Sequence, residues 1–169
     1  FLKTTADKMN LPDKTCNIAT STQTFEYIKN VDDALMETRR ILKSGASFVN
    51  ISVLWDYFRF YGAEKKLNEK IHDAFKAHCS HQMLPMELSH LLPNNGFGSI
   101  SRQNLSYIET TLHAGMAGFY LSKLMALFAT TQGVPETMAE LWLSQLEKAD
   151  QEGRFGFVNF PVLTTATAI

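Results

Sequence analysis

Residues 32–53, DDALMETRRILKSGASFVNISV, determine the fold class of this chain. Apolar side chains recur at helical spacing from Asp32 to Lys43, which predicts an amphipathic helix. Ser44-Gly45 supplies the kind of glycine that ends a helix. Ala46 to Val53 (ASFVNISV) is rich in β-branched and aromatic residues, which predicts a strand. This stretch therefore reads as a helix, a glycine turn and a strand.

A second strand precedes this helix. Asn17 to Ser21 (NIATS) is a short run of small residues that fits a buried strand. The order strand, helix, glycine turn, strand is a βαβ unit, and such a unit requires parallel strands with a right-handed crossover. On the intervening helix, we expect Glu37, Arg39 and Arg40 to face away from the core.

The rest of the chain predicts further helices and strands without any repeat. Residues 55–62 (WDYFRFYG) are aromatic and irregular, and Pro93-Asn94-Asn95-Gly96 is a strong turn signal. We predict helices at 63–78, 86–92, 115–131 and 134–150, an antiparallel strand at 100–111, and a last strand at 154–163 that Pro161 places at an edge.

Composition excludes several classes of protein. With 169 residues, 45% of them apolar, the chain predicts one globular domain, and a net charge of −1 argues against a basic nucleic-acid binder. Residues 115–131 are apolar but too short for a membrane span, and they include Lys123.

Two cysteines, Cys16 and Cys79, do not make a disulfide framework, which favours a reducing intracellular compartment over secretion. Because the first residue is Phe1, we expect that the chain starts inside a larger protein.

Four stretches match the pattern of one protein family. They are Ala6–Pro12 (ADKMNLP), similar to the turn D-A-x-x-L-P; Asp13–Ser21 (DKTCNIATS), similar to the strand D-x-S-F-D-x-V-x-S; Gln23–Ile28 with Ala34–Leu42, similar to L-E-H-V…A-L-x-E-x-x-R-V-L-K-P-G-G; and Leu91–Phe97 (LLPNNGF), similar to L-L-x-x-A-G-F. In this order and spacing they resemble class I S-adenosylmethionine (SAM)-dependent methyltransferases.

The resemblance covers the later part of that domain and nearly the whole of this chain. It implies an α/β fold, with the later half of a Rossmann-like sheet that is mostly parallel and has an antiparallel last strand. The stretch WDYFRF and the closing GRFGFVNFPVL look like a subgroup that acts on small molecules. In that subgroup a helical insert, here at about residues 112–150, covers the acceptor pocket.

Departures from the family pattern leave two alternatives open. The glycine-rich turn G-x-G-x-G, which contacts SAM in the family, does not occur in these residues, and neither does the acidic residue that ends the second strand. Asn17, Cys16 and Ala46 replace the usual Asp, Phe and second Gly. Either another segment supplies the first half of the domain, or the chain is a degenerate copy.

The resemblance implies a SAM site. In the family, residues at the positions of Asp7 and Lys8 bind adenine, through a carboxylate and a backbone N–H. Ser21, Thr22 and Gln23 follow the strand and would flank the sulfonium, at the edge of the sheet where α/β proteins bind ligands. The alternatives are that Asp7 only forms a turn and that Ser21 or Thr22 caps the next helix.

The aromatic stretch after the second strand predicts an acceptor site. Trp55, Tyr57 and Phe58 would wall an apolar acceptor, and Asp56 would orient its hydroxyl or amine or take its proton. The alternative is a hydrophobic anchor beside a solvated Asp. His78, Cys79 and His81 have ligand chemistry but no fourth ligand at a suitable spacing, so we expect no metal.

Two functions follow as hypotheses. The first is SAM-dependent transfer of a methyl group to a small, apolar molecule by a longer protein. The second is a truncated or degenerate domain without catalysis, in which a protein partner covers the open edge of the sheet. Neither hypothesis involves nucleic acid or a transmembrane segment.

Overall fold

The predicted βαβ unit is present in the computed structural model, which describes residues 2–169. Strand β1 (Cys16–Thr22), helix α1 (Val31–Ile41) and strand β2 (Leu42–Val53) follow one another, and β1 and β2 are parallel. Strand β2 starts immediately after the helix, so Gly45 lies inside the strand and not in a turn before it. Gly45 has a φ of +80° and sits where the pairing shifts from Cys16–Leu42 to Ile18–Ser47.

The main sheet has four strands in the order β1-β2-β7-β4. Strand β4 (Phe97–Asn104) and strand β7 (Pro161–Ala168) are antiparallel to each other, and β7 is also antiparallel to β2. Three strands therefore run in one direction and β7 in the other. This confirms the predicted mostly parallel sheet with an antiparallel last strand.

The prediction that Pro161 ends an edge strand is wrong. Pro161 is the first residue of β7, which lies between β2 and β4. A proline is tolerated at the first position of a strand because no ladder N–H is needed there. The strand then continues to Ala168, with every second residue from Val162 to Ala168 buried.

Strand β1 is not the buried strand that NIATS predicts. It forms an edge of the sheet, and Asn17, Ile18 and Thr20 are exposed. The Ile18 side chain is 55% exposed although it is large and apolar. Small residues therefore indicated the strand correctly but not its environment.

Helix α3 (Leu84–Asn94) packs with α1 and β2 around an apolar core. Phe48 of β2 lies at its centre, with its ring centroid 5.7 Å from that of Phe25 and 5.4 Å from that of Phe97. The helix is longer than predicted, because Pro85 stands in its first turn, where no N–H partner is required.

A second sheet has three antiparallel strands. They are β3 (Arg59–Tyr61), β6 (Gly156–Asn159) and β5 (Tyr107–Glu109), in the order β3-β6-β5. The stretch predicted to be irregular therefore contains a strand, and the predicted strand 100–111 is two strands in different sheets. The accompanying helices are α2 (Lys65–Phe75), α4 (Ala117–Thr131) and α5 (Glu136–Gln151).

The chain divides into two compact units. Unit 1 contains the described residues up to Leu54, Cys79–Leu105 and Pro161–Ile169, with the four-stranded sheet. Unit 2 contains Trp55–His78 and Ser106–Phe160, with the three-stranded sheet and the helices of the expected insert. None of the helices within residues 2–169 combines the length and the apolarity needed to cross a membrane.

A polar network lies inside unit 2. The Trp142 Nε1–H donates to Asn68 Oδ1 (2.8 Å), and Asn68 Nδ2 donates to the Phe60 carbonyl (2.8 Å). The Phe60 N–H donates to His72 Nε2 (3.0 Å), so His72 carries its proton on Nδ1, 2.8 Å from the Asn68 carbonyl oxygen. Strand β3 is thereby tied to α2 and α5 by bonds that require a neutral His72.

Candidate functional site

A cavity of about 390 Å³ in unit 1 lies beside the carboxyl end of β1. Ser21 and Thr22 of β1 line it, and so do Ala6 and Met9, which bracket Asp7 and Lys8 in the loop before the strand. Apolar side chains of the core form its floor: Phe25, Ile41 and Phe48. The loop and the strand end that the resemblance singles out therefore meet at one cavity.

Ser21 offers this cavity an unused polar group. Its Oγ is buried and has no hydrogen-bond partner among the described residues. Thr22 is exposed, and Gln23 has a φ of +46°, with its N–H donating to the Ile51 carbonyl (2.8 Å). Neither Ser21 nor Thr22 caps a helix, because both lie inside β1; the side chain of Asn30 caps α1. The capping alternative is therefore wrong.

Asp7 and Lys8 occupy a tight, exposed turn. The Lys8 N–H donates to the Thr5 carbonyl (3.2 Å), so a ligand would have to displace this bond in order to use that donor. Asp7 is exposed and borders a second, shallow cavity of about 270 Å³ next to α1. Its carboxylate is accessible to solvent and to a ligand at the surface.

Arg40 of α1 holds this loop in place. Its guanidinium donates to the carbonyl oxygens of Met9 (3.1 Å) and Leu11 (2.9 Å) and forms an ion pair with Asp13 (2.5 Å). Glu37 accepts from Arg40 Nε (2.7 Å) and from the Met9 N–H (2.5 Å). Glu37, Arg39 and Arg40 lie off the buried face of α1, as expected, but Glu37 and Arg40 are not free in solvent, because both side chains bind the loop.

The ion pair between Glu37 and Arg40 keeps both side chains charged. The hydrogen bond from Arg40 lowers the pKa of Glu37, and the Met9 N–H acts in the same direction. The bonds to Glu37 and Asp13 raise the pKa of Arg40. Sequence reasoning did not predict that Glu37 and Arg40 bind the loop. The E-x-x-R spacing of the matched motif was a signal for it, since residues three apart lie on the same face of a helix.

The predicted acceptor residues lie in unit 2 and fall into two groups. Trp55 and Phe58 are 8% and 3% exposed and pack against each other with ring centroids 5.1 Å apart. Trp55 also contacts His78, with ring centroids 4.4 Å apart. Tyr57 and Asp56 are exposed and line a mainly apolar cavity of about 410 Å³. Tyr57 and Asp56 are thus accessible to a ligand, and Trp55 and Phe58 are packed in an aromatic cluster.

The residues with metal-binding chemistry have other contacts. His81 Nδ1 lies 2.6 Å from Glu87 Oε2, and its Nε2 lies 3.1 Å from the Ile28 carbonyl oxygen. The His78 ring stacks on Phe75 with centroids 4.0 Å apart. Within residues 2–169 there is no group of three or more His, Cys, Asp or Glu side chains arranged to hold a metal ion.

Comparison with known proteins supports the fold. Residues 1–50 match a family model described as a methyltransferase domain, and a comparison with curated proteins gave no match. The solved structure of the YcgJ protein from Bacillus subtilis is 16% identical, with a TM-score of 0.60 over 99% of this chain and 70% of that one.

Two further structures show how widely this fold is used. A SAM-dependent methyltransferase from Thermotoga maritima is 16% identical, with a TM-score of 0.52 over 99% of this chain and 63% of that one. The cyclase SpnF is 14% identical, with a TM-score of 0.51 over 98% of this chain and 55% of that one. The fold is thus the Rossmann-like methyltransferase fold, and because one neighbour is named a cyclase, the fold alone does not fix the reaction.

Proposed function

We propose that this chain belongs to an enzyme that transfers a methyl group from SAM to a small, apolar molecule. The observation that supports this best is the cavity in unit 1, where Ala6 and Met9 meet Ser21 and Thr22. The match of residues 1–50 to a methyltransferase-domain model covers all four of these residues. The glycine-rich turn that contacts SAM in the family does not occur in these 169 residues, so the proposal applies to a protein in which another segment supplies that contact.

The residues that line this cavity, and those of the two segments beside it, fit SAM in chemistry. Asp7 would accept a hydrogen bond from the adenine amino group, and Lys8 would donate its N–H to the ring after releasing Thr5. The buried Ser21 hydroxyl would donate a hydrogen bond to a carboxylate or hydroxyl of the cofactor, since an unpaired buried donor is costly. Thr22 and Gln23 would lie beside the methionine part.

Bound SAM supplies a methyl group on a sulfonium, and in its in-line displacement the thioether keeps the electron pair of the broken S–C bond. The acceptor atom forms the new bond and loses a proton. Asp56 in unit 2 is exposed and would accept that proton or orient the atom that carries it. Tyr57 would form the wall of the acceptor pocket, while Trp55 and Phe58 pack against each other in the aromatic cluster. Positioning supplies much of the acceleration in such a reaction.

One observation favours the alternative of a non-catalytic subunit. Strand β1 is an edge strand with a 55% exposed isoleucine, Ile18. Exposed edges of this kind associate with other strands. A protein partner that covers β1 would explain the exposed isoleucine without any methyl transfer.

Calorimetric titration of the full-length gene product with SAM tests the proposed function. Ser21→Val should fill part of the cavity while keeping a residue that suits a strand, and SAM binding should weaken at least tenfold. Ser101→Val, at an exposed position of β4, is the matched control and should bind SAM like the unchanged protein. Failure of the unchanged protein to bind SAM, or equal binding by both variants, would reject the proposal.

A further inference from the structure

The outer face of the three-stranded sheet in unit 2 is apolar and open. Strand pairing places Phe60, Phe157 and Glu109 in one cross-strand row, and all three are buried. The neighbouring row is Arg59, Val158 and Ile108, and it lies on the opposite face because side chains alternate along a strand. Ile108 is 73% exposed.

Aromatic rings border this face and make it concave. Tyr61 is 55% exposed, and Tyr57 and Phe160 pack edge to face with their centroids 5.8 Å apart. Together with the outer row they line the cavity of about 410 Å³, which we name the sheet pocket; its lining residues are Asp56, Tyr57, Arg59, Tyr61, Ile108, Gly156, Phe157, Val158 and Phe160. This volume is typical of sites for small organic molecules.

Gly156 lies at the floor of the sheet pocket and contributes no side chain to it. It pairs with Tyr61 across the strands and has no side chain above the backbone. A Cβ placed there would meet the Tyr61 Cβ at 3.5 Å, an ordinary contact. Packing therefore does not require a glycine at this position, and its absent side chain leaves space for a flat molecule.

Two charged groups line the pocket without protein partners. Neither the Arg59 guanidinium nor the Asp56 carboxylate has a hydrogen bond or an ion pair with any described residue. Arginine binds a carboxylate through two parallel hydrogen bonds, and an ionised carboxylate accepts from a hydroxyl or an amine. The pocket thus combines apolar walls with an unpaired cation, Arg59, and an unpaired hydrogen-bond acceptor, Asp56.

We infer that the sheet pocket binds an aromatic carboxylate that also carries a hydroxyl or amino group. Arg59 binds the carboxylate of the ligand, the ring lies over Gly156 between Tyr57 and Tyr61, and Asp56 accepts from the hydroxyl or amine. The inference rests on the proposed function only in taking this ligand as the methyl acceptor. Binding itself requires neither SAM nor turnover.

Titration with two matched fluorescent probes tests the sheet pocket. The probes are 6-hydroxy-2-naphthoate and its neutral amide, 6-hydroxy-2-naphthamide, and their fluorescence anisotropy is measured without SAM. The full-length gene product should bind the naphthoate about tenfold more tightly than the amide, since hydrogen bonds to charged groups are the stronger ones. Arg59→Gln should remove this preference and leave binding of the amide unchanged.

Two further variants separate the pocket from other surfaces. Gly156→Ala should weaken both probes by a similar factor while circular dichroism shows an intact fold. Arg154→Gln, an arginine that pairs with Glu152 elsewhere in unit 2, should change neither. An undiminished preference in Arg59→Gln, or no binding of either probe by the unchanged protein, would overturn the inference. Probe binding by a protein that does not bind SAM would reject the proposed function and keep the sheet pocket.

Discussion

Asp7 is the side chain whose removal should weaken SAM binding with least effect on the fold. It is exposed in a turn, and its carboxylate is available to the adenine amino group. One such hydrogen bond contributes on the order of 1 kcal/mol, so Asp7→Ala should raise the dissociation constant of SAM about five- to tenfold. Asp7→Asn should have a smaller effect, because its amide oxygen still accepts. Calorimetric titration of the full-length gene product measures both.

An exposed aspartate on a helix of unit 2 provides the control. Asp73 pairs with Lys76, and Asp73→Ala should leave SAM binding unchanged. If Asp7→Ala is folded by circular dichroism and binds SAM with unaltered affinity, Asp7 is a turn residue only.

The positions of single residues were predictable where a local rule applied. Ser21 and Thr22 were expected directly after a strand, and the structure has them as the last two residues of that strand. The contact from Arg40 to Met9 was not predicted, because it joins residues 31 positions apart and depends on how the loop folds back onto α1. A helical pattern reveals which face is polar but not which polar group meets a loop.

Helix α2 ties strand β3 to the interior of unit 2 through a histidine that must stay neutral. Burial lowers the pKa of His72 from 6.5 to about 4. Its protonation would remove the acceptor of the Phe60 N–H, while the unfolded chain takes up the proton near pH 6.5. The stability that this network contributes is therefore fully present above pH 6.5 and is lost as the pH falls toward 4.

The expected loss in the free energy of unfolding reaches about 3 kcal/mol, because each unit by which the pKa is lowered corresponds to about 1.36 kcal/mol. Urea unfolding followed by tryptophan fluorescence between pH 7.5 and 4 measures it. As the pH falls, the free energy of unfolding should decrease less in His72→Gln than in the unchanged protein. In His113→Gln, which changes an exposed position, it should decrease as much as in the unchanged protein. Burial also lowers the pKa of His78, so part of the pH dependence should persist in His72→Gln. Identical pH profiles for His72→Gln and the unchanged protein would contradict the role of His72.

The elements were predictable to different degrees. The helix of the βαβ unit follows from its apolar periodicity, strand β2 from its β-branched and aromatic residues, and strand β1 from a run of small residues. The predicted last strand 154–163 is wrong as a single strand, because it joins β6 to the first residues of β7, which lie in different sheets. It also missed Thr164 to Ala168 (TTATA), whose small residues alternate weakly although every second one is buried. The break between β4 and β5 was missed because the partners of each strand are distant in sequence.

At the scale of the whole molecule, the open edge of the main sheet is the surface through which we expect the chain to associate. Strand β1 presents Ile18 at that edge. We predict that residues 1–169 alone bind SAM weakly or not at all and self-associate through β1. Ile18→Lys should shift the chain toward monomer, because a charge on an edge strand opposes pairing.

Sedimentation velocity over a range of concentrations measures this shift. Ile108→Lys is the matched control, since Ile108 is 73% exposed in the other unit. Equal association of the Ile18→Lys and Ile108→Lys variants would show that β1 is not the surface through which the chain associates. A monomeric unchanged chain at all concentrations would show the same.

Hydrogen exchange of the full-length gene product with and without SAM tests most directly whether the cofactor lies in the cavity of unit 1. Backbone amides in residues 5–11 and 19–24 should exchange more slowly when SAM is present, because these two segments border the cavity. Amides of β4, on the far edge of the same sheet, should exchange at the same rate in both samples. Unchanged exchange in both segments at a saturating concentration of SAM would contradict the proposed cofactor site.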